Sequence, residues 1–197
     1  MEQAVDTFEH AGLTIRIYQD ENTAGPRADY DNLGTMICFH QTYELGDKHS
    51  YNVDSFHGWA DLMAQIQEDT GGAFILPIYL MDHSGLCVST NPEDFRAWDS
   101  QGWDWGQIGF IYVSVDDART EFGDLDFGER ALACLQSEVA EYNMYLRGEV
   151  YGYEIVKKIK CPTCHETHEE DIDSCWGFYG LEYCITEAKA DAEASVG

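Results

Sequence analysis

Positive charge is what this chain has least of. It has 11 Lys and Arg, only five of them lysine, against 37 Asp and Glu, for a formal net charge of -26 and a pI near 4.2. Such a surface repels nucleic-acid phosphates and anionic lipid, so direct nucleic-acid and membrane-surface binding are not expected. Long apolar runs are missing too: no uncharged stretch approaches the ~18 residues a membrane span needs. The opening residues carry Glu2, Asp6 and Glu9 with no apolar region after them, so no secretory leader is expected and a cytoplasmic protein is. There is no glycine-rich phosphate loop, no strand–helix–strand series, no nucleophile elbow and no internal repeat, which removes the common nucleotide-binding and α/β-hydrolase readings. The cysteine count is seven. Without a leader, an odd number reads as thiols or metal ligands rather than a disulfide framework.

Apolar and aromatic residues are plentiful, at 44% and 13% of 197 residues. That is enough for a packed core, and one α+β domain spanning 1–197 is expected. The acids run along the whole chain. Three readings fit them: adaptation to high salt, mimicry of DNA toward a DNA-binding protein, or plain solubility. The scarcity of lysine favours salt adaptation, although a mimic would also spread its acids.

Periodicity gives the elements. Leu13 to Tyr18 alternates as a strand, and Asp31 to His40 passes from turn residues into a strand. Asp54 or Ser55 caps an expected helix to Asp69, ended by Gly71-Gly72, with Trp59, Leu62, Met63 and Ile66 inward. Phe74 to Met81 is the most apolar run, and Pro77 within it calls for an edge or a bulge. Leu86 to Thr90 is its return strand. Trp103-Asp104-Trp105-Gly106-Gln107-Ile108-Gly109 leads into a buried strand to Val115, the expected centre of the sheet. Gly106 and Gly109 there suggest a bulge or a close backbone approach. A short helix follows to Phe122, and a long one covers Gly128 to Arg147. Val150 to Ile159 is a strand, 161–173 a Cys/His-rich insert, Ser174 to Tyr179 the last strand, and Glu182 to Ala194 the closing helix. Short turns between strands predict a largely antiparallel sheet with three or four helices packed on it.

Three constellations could carry chemistry. Cys161-Pro162-Thr163-Cys164 sets two thiols at the spacing of half a zinc knuckle, with His168 and Cys175 to complete one structural zinc. Asp82-His83-Ser84 holds three triad residue types, but consecutive residues cannot form a triad, and the residue of interest is His83. Asp31, Asn32, Thr35, His40, Asp104 and Gln107 lie near strand ends. If those ends met, they would make a polar pocket walled by Trp103, Trp105 and Trp176. As an enzyme, a hydrolase, the chain would use Asp31, His40, His83, Asp104 and Gln107; as a ligand-binding protein, Asn32, Trp103 and Trp176. Asp104 and Gln107 have a plainer alternative role, fixing the strand's entrance through hydrogen bonds.

Four motifs, Asp31-Asn32-Leu33-Gly34-Thr35-Met36, Trp103-Asp104-x-Gly106-Gln107-Ile108-Gly109-Phe110-Ile111-Tyr112-Val113, Tyr145-Leu146-x-Gly148-Glu149-Val150-Tyr151-Gly152-Tyr153 and Asp173-Ser174-Cys175-Trp176-Gly177-Phe178-Tyr179-Gly180, occur in that order. Together they resemble a family of small uncharacterised proteins encoded by phages, viruses and conjugative plasmids. The likeness runs from about Ile15 to Ala190. Trp105 departs from it, where a small Ser is usual, and so does the Cys161 to His168 insert, where an acidic turn is usual. The resemblance implies a genetic context and no mechanism, and the acidity would suit an element of a halophilic archaeon. The expectation is a non-catalytic accessory protein that binds and occludes a host protein, one acting on nucleic acid or in defence. The alternatives are the hydrolase and a virion or assembly component holding the structural zinc.

Overall fold

Alternating apolar residues build two antiparallel sheets, and their placement divides the chain. The computed structural model describes residues 3–29, 31–163 and 165–196. These form an α+β fold of two compact units, Met1–Ala24 with Gly148–Gly197, and Gly25–Arg147. The strands of the first unit are β1 (Asp6–His10), β2 (Leu13–Gln19), β7 (Val150–Lys160) and β8 (Thr167–Tyr179), in the order β1-β2-β7-β8. The second unit carries β3 (Thr35–Cys38), β4 (Ala73–Asp82), β5 (Leu86–Ser89) and β6 (Trp105–Ser114), in the order β3-β6-β4-β5. The single sheet expected from sequence is therefore two. Periodicity finds strands but not partners, and β2 pairs with the distant β7, Ile15 opposite Ile155, rather than with β3.

In the first unit, Leu13, Ile15, Ile17, Tyr153 and Ile155 meet helix α6 (Leu181–Val196) through Cys184, Ala188 and Ala192. Small residues four apart let the helix lie close on the sheet. In the second unit, α1 (Pro26–Asp29) and α3 (Glu93–Arg96) are single turns. The sheet there is covered on both sides. Ile37 and Phe110 face α2 (Trp59–Thr70), and Met36, Ile111 and Val113 face α5 (Phe127–Leu146), with α4 (Val115–Phe122) beside it.

β6 is the strand between β3 and β4, as its apolar run predicts. Its register against β4 shifts between Ile78 opposite Gly109 and Tyr79 opposite Gln107, which is the expected bulge. A Cβ on Gly109 would lie 1.8 Å from the Ile37 carbonyl oxygen, so the close approach is real there, while nothing lies within 4 Å of one on Gly106. Pro77 sits where β5, pairing only from Tyr79 to Asp82, does not reach. Its missing N–H thus falls on a locally open edge.

Three expectations need correcting. Helix α2 begins at Trp59 and not near Ser55; Asn52 instead caps a 3-10 turn over Val53–Ser55. Met63 is 43% exposed while Leu62 and Ile66 are buried, because the buried stripe of α2 is narrow. Most of the 161–173 insert is strand: β8 starts at Thr167 and pairs with β7 through Lys157 opposite Glu170 and Lys158 opposite Glu169. Cross-strand charge pairs replace apolar ones there, so the segment lacks the alternation that marks a strand.

Candidate functional site

The stretch before β6 is a hydrogen-bonded loop built on Asp99. The Asp99 carboxylate accepts from the backbone N–H of Gln101 (3.0 Å), Gly102 (3.1 Å), Trp103 (2.5 Å) and Asp104 (2.9 Å). The Asp99 carbonyl accepts from Trp105 Nε1 at 2.8 Å. Gly102 takes φ 72°, a left-handed turn that glycine makes without strain. These bonds, that of the Asp104 N–H first, hold the Asp99 carboxyl below the usual carboxylate range. Trp105 points inward against Tyr79 and Phe95, at ring distances of 6.0 and 6.2 Å. Trp98 and Trp103 point outward, 84% and 83% exposed. The loop is fixed from within while two indoles stand in water.

The candidate catalytic residues divide between two ends of the second sheet. His83 Nδ1 lies 3.1 Å from Asp104 Oδ2, both exposed. Next to them the Asp82 N–H donates to the Asp104 carbonyl at 3.0 Å, and the Tyr43 hydroxyl donates to Asp82 Oδ2 at 3.2 Å. His40 stacks on Tyr43 at 4.9 Å, and its Nδ1 accepts from the Thr42 and Tyr43 N–H groups, both at 3.2 Å. Gln107 spends its amide across the bulge, donating to the Gly109 carbonyl at 3.2 Å. His40, His83, Asp104 and Gln107 thus share one end of the sheet.

Asp31 does not join them. It lines a cavity of about 520 Å³ with Asp117 and Glu121 of α4, the helix that follows the far end of β6. Thr35, just beyond it, pairs with Tyr112, which is on the order of 20 Å along β6 from Trp105 at the rise of a strand. No substrate group can touch Asp31 and Asp104 together, so the five-residue catalytic set does not assemble. Strand ends look alike in sequence, which cannot say which of them coincide.

Asn32 belongs to that far end, where its side chain donates to the Pro26 carbonyl at 2.8 Å, well away from Trp103. Trp176 belongs to the first unit, 44% exposed and stacked on Tyr18 at 5.9 Å. A Cβ on Gly152 would lie 2.2 Å from the Trp176 ring, which ties the motif Tyr151-Gly152-Tyr153 to Trp176. The proposed ligand set of Asn32, Trp103 and Trp176 is therefore drawn from both units.

The metal set fares similarly. Cys164 lies outside the described residues. Cys175 pairs with Tyr153 and His168 with Ile159, seven residues apart along β8, on the order of 20 Å. A single zinc cannot take both, and no cluster of three metal-binding side chains occurs among the described residues. Around the hairpin's turn, the Cys161 N–H donates to the Glu166 carbonyl (2.8 Å) and the His165 N–H to the Cys161 carbonyl (3.0 Å).

The motif Asp31 to Met36 has a structural explanation. Arg27, 7% exposed, donates to both Asp47 oxygens (3.0 and 2.5 Å), to Glu138 (2.7 Å) and to the Gly34 carbonyl (2.5 Å). Glu138 accepts from the Leu33 and Gly34 N–H groups at 2.8 and 3.1 Å, and Asp47 accepts from the Met36 N–H at 2.7 Å. Burial opposes the Arg27 charge, but the bonds from Asp47 and Glu138 outweigh it and raise its pKa. Sequence reading missed these three residues, because partners 20 and 111 positions apart leave no local pattern. It also missed Asp99, although Asp99-x-x-Gly102 is a readable turn signal.

An open groove of about 780 Å³ runs between Cys38, His40, Tyr43, His49 and Trp59. Burial pushes the Cys38 thiol up to about 12, with Asp47 adding to it, so Cys38 is no nucleophile near neutral pH. No protein-family model, curated protein or solved structure matches this chain.

Proposed function

We propose that this chain is a non-catalytic binding protein that engages a basic partner through the loop from Trp98 to Trp105. One observation carries the reading: two tryptophans more than 80% exposed on a loop locked by Asp99. Exposed indoles on a rigid loop are typical interface anchors, since little freedom is lost on binding. The net charge of -26 selects a cationic partner and speeds the encounter. Given the resemblance to proteins of phages, viruses and plasmids, that partner is a host protein acting on nucleic acid, and binding occludes it.

The test is affinity capture from the host cell with the wild-type chain and a Trp98→Ala/Trp103→Ala variant. A basic nucleic-acid-acting protein should be held by the wild type, and lost with the variant and with rising salt. Equal recovery on both baits would sink the reading.

The hydrolase reading keeps one supporting observation, the His83–Asp104 pair at 3.1 Å. It requires that His83→Ala abolish a turnover measured on ester or phosphodiester substrates, and turnover unchanged by that substitution would end it. A structural zinc, as in an assembly component, would draw on Cys161 and His168, with Cys164 as a further ligand. Metal analysis finding less than one zinc per reduced chain would exclude it.

A further inference from the structure

Beside the tryptophan loop, within the same unit, a cleft of about 400 Å³ opens between α3, β5 and α5. Its floor is apolar and closed: Val88, Phe95 and Val139 are all buried. Trp98 stands at its rim and Ala140 at its lip, both exposed. We propose that this cleft seats one aromatic or branched apolar side chain of a basic protein segment, whose flanking Lys or Arg residues meet the surrounding carboxylates. This rests on the binding role of the loop and names what the loop recognises.

The cleft has room for one large side chain, whose apolar contact comes from the floor, while Ser89, Thr90, Asp94, Gln136, Asn143 and Arg147 add polar groups to the lining. Trp98 is the adjustable wall. It follows a single helical turn and lies directly before the pinned Asp99, so its backbone is held while its indole is open to a partner. An arriving side chain would be covered by the indole on one side and by Val139 and Phe95 below, the enclosed arrangement in which an anchor excludes water.

The charges choose the rest of the segment. Asp94 and Arg147 line the cleft with opposite signs. The exposed charges that flank it in the chain are mainly acidic: Asp82 next to Met81, Glu93 next to Asp94, and Asp104, whose carbonyl holds the Asp82 N–H. Arg96 and Glu93 pair with each other, and the signs of Asp94 and Arg147 offset, so the carboxylates left for a cationic segment are Asp82 and Asp104. A second copy of this chain does not fit, because it brings the same acidic excess to the contact.

The experiment pans a displayed library of random short peptides against the full chain at moderate salt. Selected peptides are then titrated against wild type, Trp98→Ala, Trp103→Ala and Ala140→Phe, each checked for native circular dichroism. The expected peptides share one aromatic or branched apolar residue flanked by Lys or Arg. Their dissociation constants should rise at least ~10-fold with Trp98→Ala and with Ala140→Phe, which fills the seat. Binding kept by Ala140→Phe but lost with Trp103→Ala leaves the loop reading standing and overturns the cleft. Binding kept by all three variants overturns both. No enriched peptide, an acidic consensus, or dimerisation of the chain itself through Trp98 in light scattering also overturns the proposal.

Discussion

Asp99 shapes the tryptophan loop because one carboxylate can accept four N–H groups that a turn leaves pointing inward. Its folded pKa is depressed, so its stabilising contribution is present above the unfolded carboxylate pKa of ~3.9 and is lost as pH falls below it through the folded value. Acidification from pH 6 toward pH 2, followed by tryptophan fluorescence, should show the loop loosening below pH ~4. Asp99→Asn should show it loosened already at pH 6. A variant whose fluorescence matches wild type across that range would refute the role given to Asp99. Gly109 is the other decisive single residue. Gly109→Ala drives a methyl into the Ile37 carbonyl and should cost more than about 2 kcal/mol in urea unfolding, while Gly106→Ala, with open space around it, should be nearly neutral. Similar losses at both glycines would show that the β3–β6 approach is not what requires glycine.

At the scale of elements, the buried Arg27 with Asp47 and Glu138 joins α1, the loop after β3 and α5. Removing one member leaves charge uncompensated in the interior. Arg27→Met should cost ~3–5 kcal/mol in chemical denaturation, and a loss below about 1 kcal/mol would mean the network is better solvated than its burial indicates. Much of this level was legible in the sequence. The apolar run at Ile108 to Val115 gave the central strand, the glycine spacing gave its bulge, and the steps from Leu135 to Tyr142 gave α5. The rest was not, for physical reasons. β1 and the outer part of β8 carry charge where a buried strand carries Val or Ile, and sheet membership depends on pairings such as Thr14 with Val156 that no local window contains. The candidate site was half legible. Trp103 and Asp104 stood out as unusual residues, but Trp98 became informative only once its exposure was known, and Asp31 left the set only once the strand ends were located.

At the scale of the molecule, exposed acids occur on both outer layers of the second unit. In the second unit, Asp61, Glu68 and Asp69 on α2 and Asp116, Asp117 and Glu121 on α4 are all exposed, on opposite sides of one sheet. Acids on both outer layers suit salt adaptation. Repulsion among them should make stability depend on salt. The melting temperature should climb between low salt and ~1 M KCl, where the screening length falls to ~3 Å, and a flat profile would remove salt adaptation as the reason for the charge. The connectivity of the first unit carries a consequence for synthesis. β2 is made early, yet its partner β7 is encoded after the whole of the second unit. A ribosome adding ~5–20 residues per second leaves the β1–β2 hairpin waiting for several seconds with one edge unpaired. In that interval the continuous Gly25–Arg147 stretch can complete its own core, so the order of folding runs from that unit outward, and the strands that flank it in sequence pair last.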